Sequence, residues 1–370
     1  MADSTEDKGE ADPTGSPIVH ARRDGGNHPG RGALSSPGSV TKMLSPVRYL
    51  AWLYSPPSQQ RVLAALCAIE SEVASSLRPG IDHHVAHARL QWWREECERS
   101  VQGRPVHPLT RELVKAYEAS AADKSPLVGI VGFVDTAVWD LAGATFETRK
   151  ELTAYCERWA TAMFEPAAAY VMRSAQQPND AERAAETTSA QIGLARSASA
   201  QTVPSQDKVA LRVVTQNASM QPSNVTASGI TAPVWRSLGA AVREVELLAD
   251  LARESHTGRL RIPLDELERA AVEPSSMAKT PWPDALAALL RERYVALRAT
   301  IAGAVSKVAV REQPNYRGLL VWAALASRLS GRAQHALPDT IAPRRYHAFA
   351  DGWQAWRAAR RAAAGNLRLS

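Results

Sequence analysis

The chain has 370 residues, 45% of them hydrophobic, which is enough for one large or two average domains around a buried core. Its 44 Lys+Arg against 38 Asp+Glu give a net charge of +6, an excess that suits anionic partners without choosing among diphosphates, lipid heads and nucleic acid. Cys67, Cys97 and Cys156 are odd in number, widely spaced and without a CxxC pair, which excludes a disulfide framework and a zinc ribbon and predicts reduced thiols.

Residues 1–43 are rich in Gly, Ser, Pro, Asp and Arg and poor in large apolar side chains, and are expected to be a disordered tail. Asp3, Glu6, Asp7 and Glu10 with no apolar run fit neither a secretory signal nor a transit peptide, so a cytoplasmic location is expected. The helical text begins at Ser45-Pro46, a cap followed by proline at the first helical position, and Pro57-Ser58 opens a second helix that Arg78-Pro79-Gly80 ends. Spacing then predicts helices over His84 to Gln102, Thr110 to Ala119, Val131 to Leu141 and Arg149 to Met172, with Gly103 as a C-terminal cap. Residues 174–228, with text such as QQPNDAERAAETTSAQ, read as a low-complexity insertion; the strand-like run Val209 to Val214 is too short to change that. Further helices are expected over Trp235 to Glu254, Pro283 to Val308 and Tyr316 to Leu329, the last capped by Gly331. The fold class expected is therefore all-α: one helical domain in two parts, 44–173 and 229–360, followed by a basic tail, 361–370. The longest apolar runs, Leu319 to Ala326 and Pro126 to Val134, fall short of the ~18 to 20 residues of a membrane span, so membrane contact is expected to be peripheral, at the inner face.

The most informative constellation is Glu246, Asp250 and Glu254, whose i, i+4, i+8 spacing stacks three carboxylates along one helix face. One reading is a solvated charged face, since like charges at this spacing cost only about a few tenths of a kcal/mol each. The other is a Mg²⁺ site, because hard cations take carboxylate oxygens and bridge them to a diphosphate. Arg259 and Arg261, just after the Gly258 turn, would then grip phosphate oxygens. Asp82, His83, His84 and His87 admit a zinc reading through the i, i+4 histidines, but lack a third ligand at motif spacing, so a solvated helix start is preferred. Trp92-Trp93 point about 100° apart on a helix, which suits core packing for one and a groove contact for the other better than base stacking. Walker A, GxGxxG and GxSxG patterns do not occur.

Ala88-Arg89-Leu90-Gln91-Trp92-Trp93-Arg94-Glu95-Glu96 followed by Gly103-Arg104-Pro105-Val106-His107-Pro108-Leu109 resembles the RLxWW…GRPxHP signature of the squalene/phytoene synthase family. Asp140-Leu141 with Glu151-Leu152-Thr153-Ala154-Tyr155-Cys156, and Leu238-Gly239 through Asp250 with the stretch Gly258 to Leu267, are similar to two further family blocks. The helix around Ala65 to Val73 with Trp92-Trp93 resembles most the motif-degenerate branch that includes a mitochondrial complex I assembly factor.

The resemblance implies an isoprenoid-synthase helical bundle in which two acidic motifs hold Mg²⁺ around prenyl diphosphates that active members join head to head. The second motif falls on Asp250 and Glu254, but the first falls on Ala74, Ser75 and Arg78, none of which ligates Mg²⁺, and the family's Gln and Asn become Arg243 and Glu246. Glu70 and Glu72 point to different faces and are poor substitutes. Losing half the ligands is expected to cost several kcal/mol, or ~10³-fold in rate. The expectation is a non-catalytic protein that binds a prenyl diphosphate, a prenyl lipid or a protein partner. The alternative is an active Mg²⁺-dependent prenyltransferase working on the surviving ladder. A third reading, a basic nucleic-acid or membrane-surface binder, rests on Arg344, Arg345, Arg357, Arg360 and Arg361, though nucleic acid is not among the partners expected.

Overall fold

A computed structural model describes residues 44–120, 124–173, 232–339 and 347–369. The expected tail 1–43, all of the insertion 174–228, and Arg344 and Arg345 lie outside them. Among the described residues the fold is all-α, with no strand.

Helix starts follow local chemistry. Helix α1 (Pro46–Tyr54) and α2 (Pro57–Ser75) each begin with proline, whose missing N–H would have no intrahelical partner there. Ser45 occupies the cap position of α1 but its hydroxyl makes no capping bond. Asp82 caps α3 (His83–Val101) by accepting from the backbone N–H of His84 and Val85. His107 caps α4 (Pro108–Ala119) in the same way through Leu109 N–H. A 3₁₀ turn, Ser125–Val131, then feeds α5 (Gly132–Leu141), and α6 covers 149–173.

The helix expected from Trp235 to Glu254 is interrupted. It divides into α7 (Ala232–Ala249) and α8 (Leu251–His256), because the Asp250 N–H bonds to Leu247 O, three residues back, and tightens the turn. Helix α9 (Leu264–Arg269) and a 3₁₀ turn, Pro274–Ala278, lead to α10 (Asp284–Ser306). Helix α11 (Arg317–Ala336) runs through Gly331 instead of ending there. Only Gly103, with φ 74°, takes the left-handed cap conformation expected of it; α11 is stopped by Pro338. Helix α12 (Ala348–Ala363), which periodicity did not single out, continues into the expected basic tail, and Leu367 beyond it is buried.

Helix α11 is the axis of the bundle: Gly318 to Leu325 is buried throughout and packs against α1, α7, α10 and α12. Its approach to α1 needs Gly318, where a Cβ would stand 1.8 Å from Ser55 Oγ. At Gly239 on α7 a Cβ would meet Ala160 at 2.8 Å and Phe164 at 2.9 Å. Trp159, Phe164 and Trp322 meet at the centre, each buried, with ring centroids 5.1–6.0 Å apart. A smaller apolar cluster of Phe146, Leu152, Tyr155, Cys156 and Leu247 braces α6 against α7. All three cysteines are free and buried, as their spacing predicts.

Candidate functional site

The two positions where acidic motifs are expected line a single cavity of about 640 Å³. Glu246 on α7, Asp250 at the helix break and Glu254 on α8 contribute carboxylates. Ala74 and Arg78, at and just past the end of α2, line the same space, as do Arg48 of α1 and Trp322, Leu325 and Leu329 of α11. The Gly258 turn, at φ 80°, returns the chain so that Arg259 and Arg261 complete the lining. The five residues singled out as candidate ligands are thus brought together, along with two of the three positions of the altered first motif.

Each of these carboxylates already faces a guanidinium. Glu246 lies 3.4 Å from Arg243 and 3.5 Å from Arg48. Asp250 pairs with Arg253 at 2.6 Å. Glu254 accepts from Arg261 at 2.9 Å and lies 3.7 Å from Arg259, while Arg261 also bonds Asp140 at 2.7 Å. The lining holds six arginines, Arg48, Arg78, Arg243, Arg253, Arg259 and Arg261, against four carboxylates, Asp140, Glu246, Asp250 and Glu254. The cavity is therefore cationic without any metal.

Glu70 pairs with Arg48, lies 4.0 Å from Arg243 and accepts from Trp159 Nε1 at 2.7 Å. Glu72, two residues on, is exposed, so the pair does point to different faces. Burial pulls the Arg48 guanidinium down, but Glu70 and Glu246 outweigh it and hold the group firmly charged. Arg243 behaves likewise beside Tyr155, Glu70 and Glu246, and stacks 5.3 Å over the Trp159 ring. The Nε atoms of Arg243 and Arg261 are buried with no hydrogen-bond partner among the described residues.

At the positions of the first motif this donor set does not fit a Mg²⁺ cluster. Magnesium asks for oxygen ligands in near-octahedral order. Here the ladder carboxylates are engaged by arginines, Ala74 offers no oxygen and Arg78 repels a cation. The Ser75 hydroxyl is turned to its own helix, donating to Glu72 O at 2.7 Å. Among the described residues no three His, Cys, Asp or Glu side chains group as a metal site.

The signature segment plays a different part. Glu96, fully buried, accepts from Val106 N and His107 N at 2.8 Å, from Thr110 Oγ1 and from Arg99 Nε at 3.0 Å. It ties α3 to the Gly-Arg-Pro-Val-His-Pro turn, so these residues hold the scaffold. Trp93 is buried while Trp92 is 39% exposed, packs against His107 and carries Arg99 over its ring. Neither lines the cavity. Asp82 is spent as a helix cap, and His83 and His87 are exposed with their Nε2 atoms 3.1 Å apart.

Sequence reasoning missed Arg48, Glu70 as the partner of two arginines, and Asp140 as the anchor of Arg261. The available signal was a lone arginine inside the apolar run Pro46 to Tyr54 and a lone glutamate within the buried stripe of α2.

Known proteins place this fold. The family model described as squalene/phytoene synthase matches residues 44–354. A comparison with curated protein sequences finds no match. Among solved structures, a dehydrosqualene synthase in complex with ligand aligns with a TM-score of 0.59 and 14% identity over 88% of this chain and 93% of that one. The squalene synthase HpnC from Alicyclobacillus acidocaldarius aligns at 0.54 and 13% identity over 82% and 94%. At such identities the structures speak for the fold, and it is the sequence match over most of the chain that decides the lineage: this protein belongs to the squalene/phytoene synthase family.

Proposed function

We propose that this chain is a non-catalytic member of its family that holds a prenyl diphosphate, or a prenyl lipid with an anionic head, in the α7–α8 cavity. The observation that carries the reading is that guanidinium groups pair with the ladder carboxylates and outnumber the acids of the cavity lining, six to four. Arginines bind phosphate oxygens through paired N–H donors and cannot be deprotonated, so they supply affinity for the head group. Arg259 and Arg261 are the diphosphate ligands, and Leu77, Leu247, Leu325 and Leu329 give the chain an apolar wall. Ionising the C–O bond requires positive charge concentrated at the leaving oxygens, which an arginine already shared with a carboxylate supplies far less well than bare Mg²⁺. The resemblance to the motif-degenerate branch supports the same conclusion and keeps a protein partner among the expected ligands. Glu246, Asp250 and Glu254 on one cavity wall favour the second reading, a working Mg²⁺-dependent prenyltransferase.

Calorimetric titration with farnesyl and geranylgeranyl diphosphate, with Mg²⁺ and with EDTA, separates the two. Saturable binding that is indifferent to EDTA, with no pyrophosphate released, is the expected result. Mg²⁺-dependent release that disappears in Asp250→Ala would replace it with the prenyltransferase.

A further inference from the structure

Outside that cavity, among the described residues, a cluster of arginines lies between α10, α11 and α12. A hollow of about 360 Å³ is lined by Arg298, Arg328, Arg332, Arg357, Arg361 and Arg368, with no carboxylate in its lining. Asp351, buried behind it, takes Arg328 at 2.9 Å and Arg332 at 3.5 Å. Arg298 bonds Ser330 and Gln334. Arg357, Arg361 and Arg368 make no ion pair with a described carboxylate. Beside this hollow, α12 turns Ala355, Ala358, Ala359 and Ala362 inward and presents Phe349, Trp353 and Trp356 outward, at i, i+4 and i+7, with exposures of 89%, 54% and 37%. Arg360 follows on the same face with its guanidinium 5.0 Å over the Trp356 ring.

We infer that this aromatic ridge and the arginine hollow form a docking surface for an anionic phospholipid bilayer. A ridge of Phe and Trp on an otherwise soluble helix leaves apolar area in water that an acyl–headgroup boundary removes, and tryptophan suits that boundary because its ring is amphipathic. The arginines alongside meet the phosphates of anionic lipid, each contributing about fivefold in partitioning. Single-stranded nucleic acid is the poorer occupant, since base stacking needs free ring faces. Here Trp353 and Trp356 stack on each other at 4.7 Å and Arg360 covers the latter. Among the described residues no helix is long and apolar enough to cross a membrane, so this contact would be peripheral. Helix α11 serves both places: Leu325 and Leu329 face the prenyl cavity, while Arg328 and Arg332 face the hollow. The inference does not depend on what the cavity binds.

The test is co-sedimentation of the full chain with vesicles of phosphatidylcholine alone and of phosphatidylcholine with phosphatidylglycerol. Binding to the anionic vesicles that weakens with salt is expected, together with a blue shift of tryptophan emission. Arg357→Gln/Arg361→Gln should lower the partition coefficient about 25-fold, the product of two such steps. Trp353→Ser/Trp356→Ser should remove the blue shift and most of the binding, and both variants should keep the far-ultraviolet dichroism of the parent. Arg261→Ala, in the other cavity, should sediment as the parent does. No sedimentation with anionic vesicles, undiminished sedimentation of both double variants, or retention by single-stranded DNA without retention by vesicles would each overturn the inference.

Discussion

Two of the places where this molecule pairs glutamates with donors do so by opposite means. At the α3–α4 junction Glu96 is closed off from solvent by two backbone N–H groups, a threonine hydroxyl and one arginine. Around the cavity Glu70, Glu246 and Glu254 meet arginines that border open volume, and Glu246 and Glu254 line it themselves. The first arrangement keeps the family's signature because it holds the helices at their angle. In the second, the positions that the resemblance assigns to the first acidic motif hold Ala74, Ser75 and Arg78, and arginines outnumber carboxylates in the cavity lining. Resemblance in the signature segment therefore speaks for the scaffold, and the chemistry has to be argued from the cavity itself.

The sharpest way to break this comparison is Glu96→Ala. Several buried donors would lose their acceptor at once, and a stability loss of about 3–5 kcal/mol is expected in denaturant unfolding, with ligand affinity of the folded fraction unchanged. Burial raises the Glu96 carboxyl, but bonds from Thr110, His107, Arg99 and Val106 outweigh it and leave the pKa lowered. Its contribution is therefore present at neutral pH and is lost as pH falls below the ordinary carboxylate range, which melting in acid would reveal as a steeper loss for the parent than for Glu96→Gln.

Next in size, Arg261→Ala should weaken prenyl diphosphate binding about tenfold to a hundredfold, the worth of a charge-assisted contact, and Arg259→Ala, with its more exposed side chain, by less. Equal affinity of both variants and the parent, measured by calorimetry, would put the ligand elsewhere. Ala74→Asp/Arg78→Asp restores carboxylates where the first motif belongs. Its affinity should become Mg²⁺-dependent by about tenfold, an effect the parent lacks, and titration with and without EDTA reads it directly.

The smallest effect at neutral pH concerns the core. Burial pushes Cys67 and Cys97 from an ordinary 9.0 up to about 12, and Tyr155 from 10.0 up to about 12. Because the folded chain keeps these protons while the unfolded chain releases them, stability is full below pH 9 and declines as pH rises from there toward about 12. Thermal melts across that range should fall progressively, and thiol reagent at pH 8 should leave all three cysteines of the native chain unmodified.

Much of the fold was written locally. Prolines at Pro46 and Pro57, the Asp82 cap, Gly103 and the 3.6-residue apolar period specify helix type and most boundaries without reference to the rest of the chain. The family blocks are equally local, as is the burial of three unpaired cysteines. Boundaries failed where distant partners intervened. Gly331 stays helical within α11, where Arg332 finds Asp351 on α12. What sequence alone left open was pairing. Arg48 reaches Glu70 from 22 residues away and Arg261 reaches Asp140 from 121 residues away, and no periodicity carries such information. The ladder Glu246, Asp250 and Glu254 could be read from spacing, but whether its charge was free for a metal or held by arginines depended on which helices packed against it. That is a property of the tertiary structure, because electrostatic partners are chosen by distance in space and not by position along the chain.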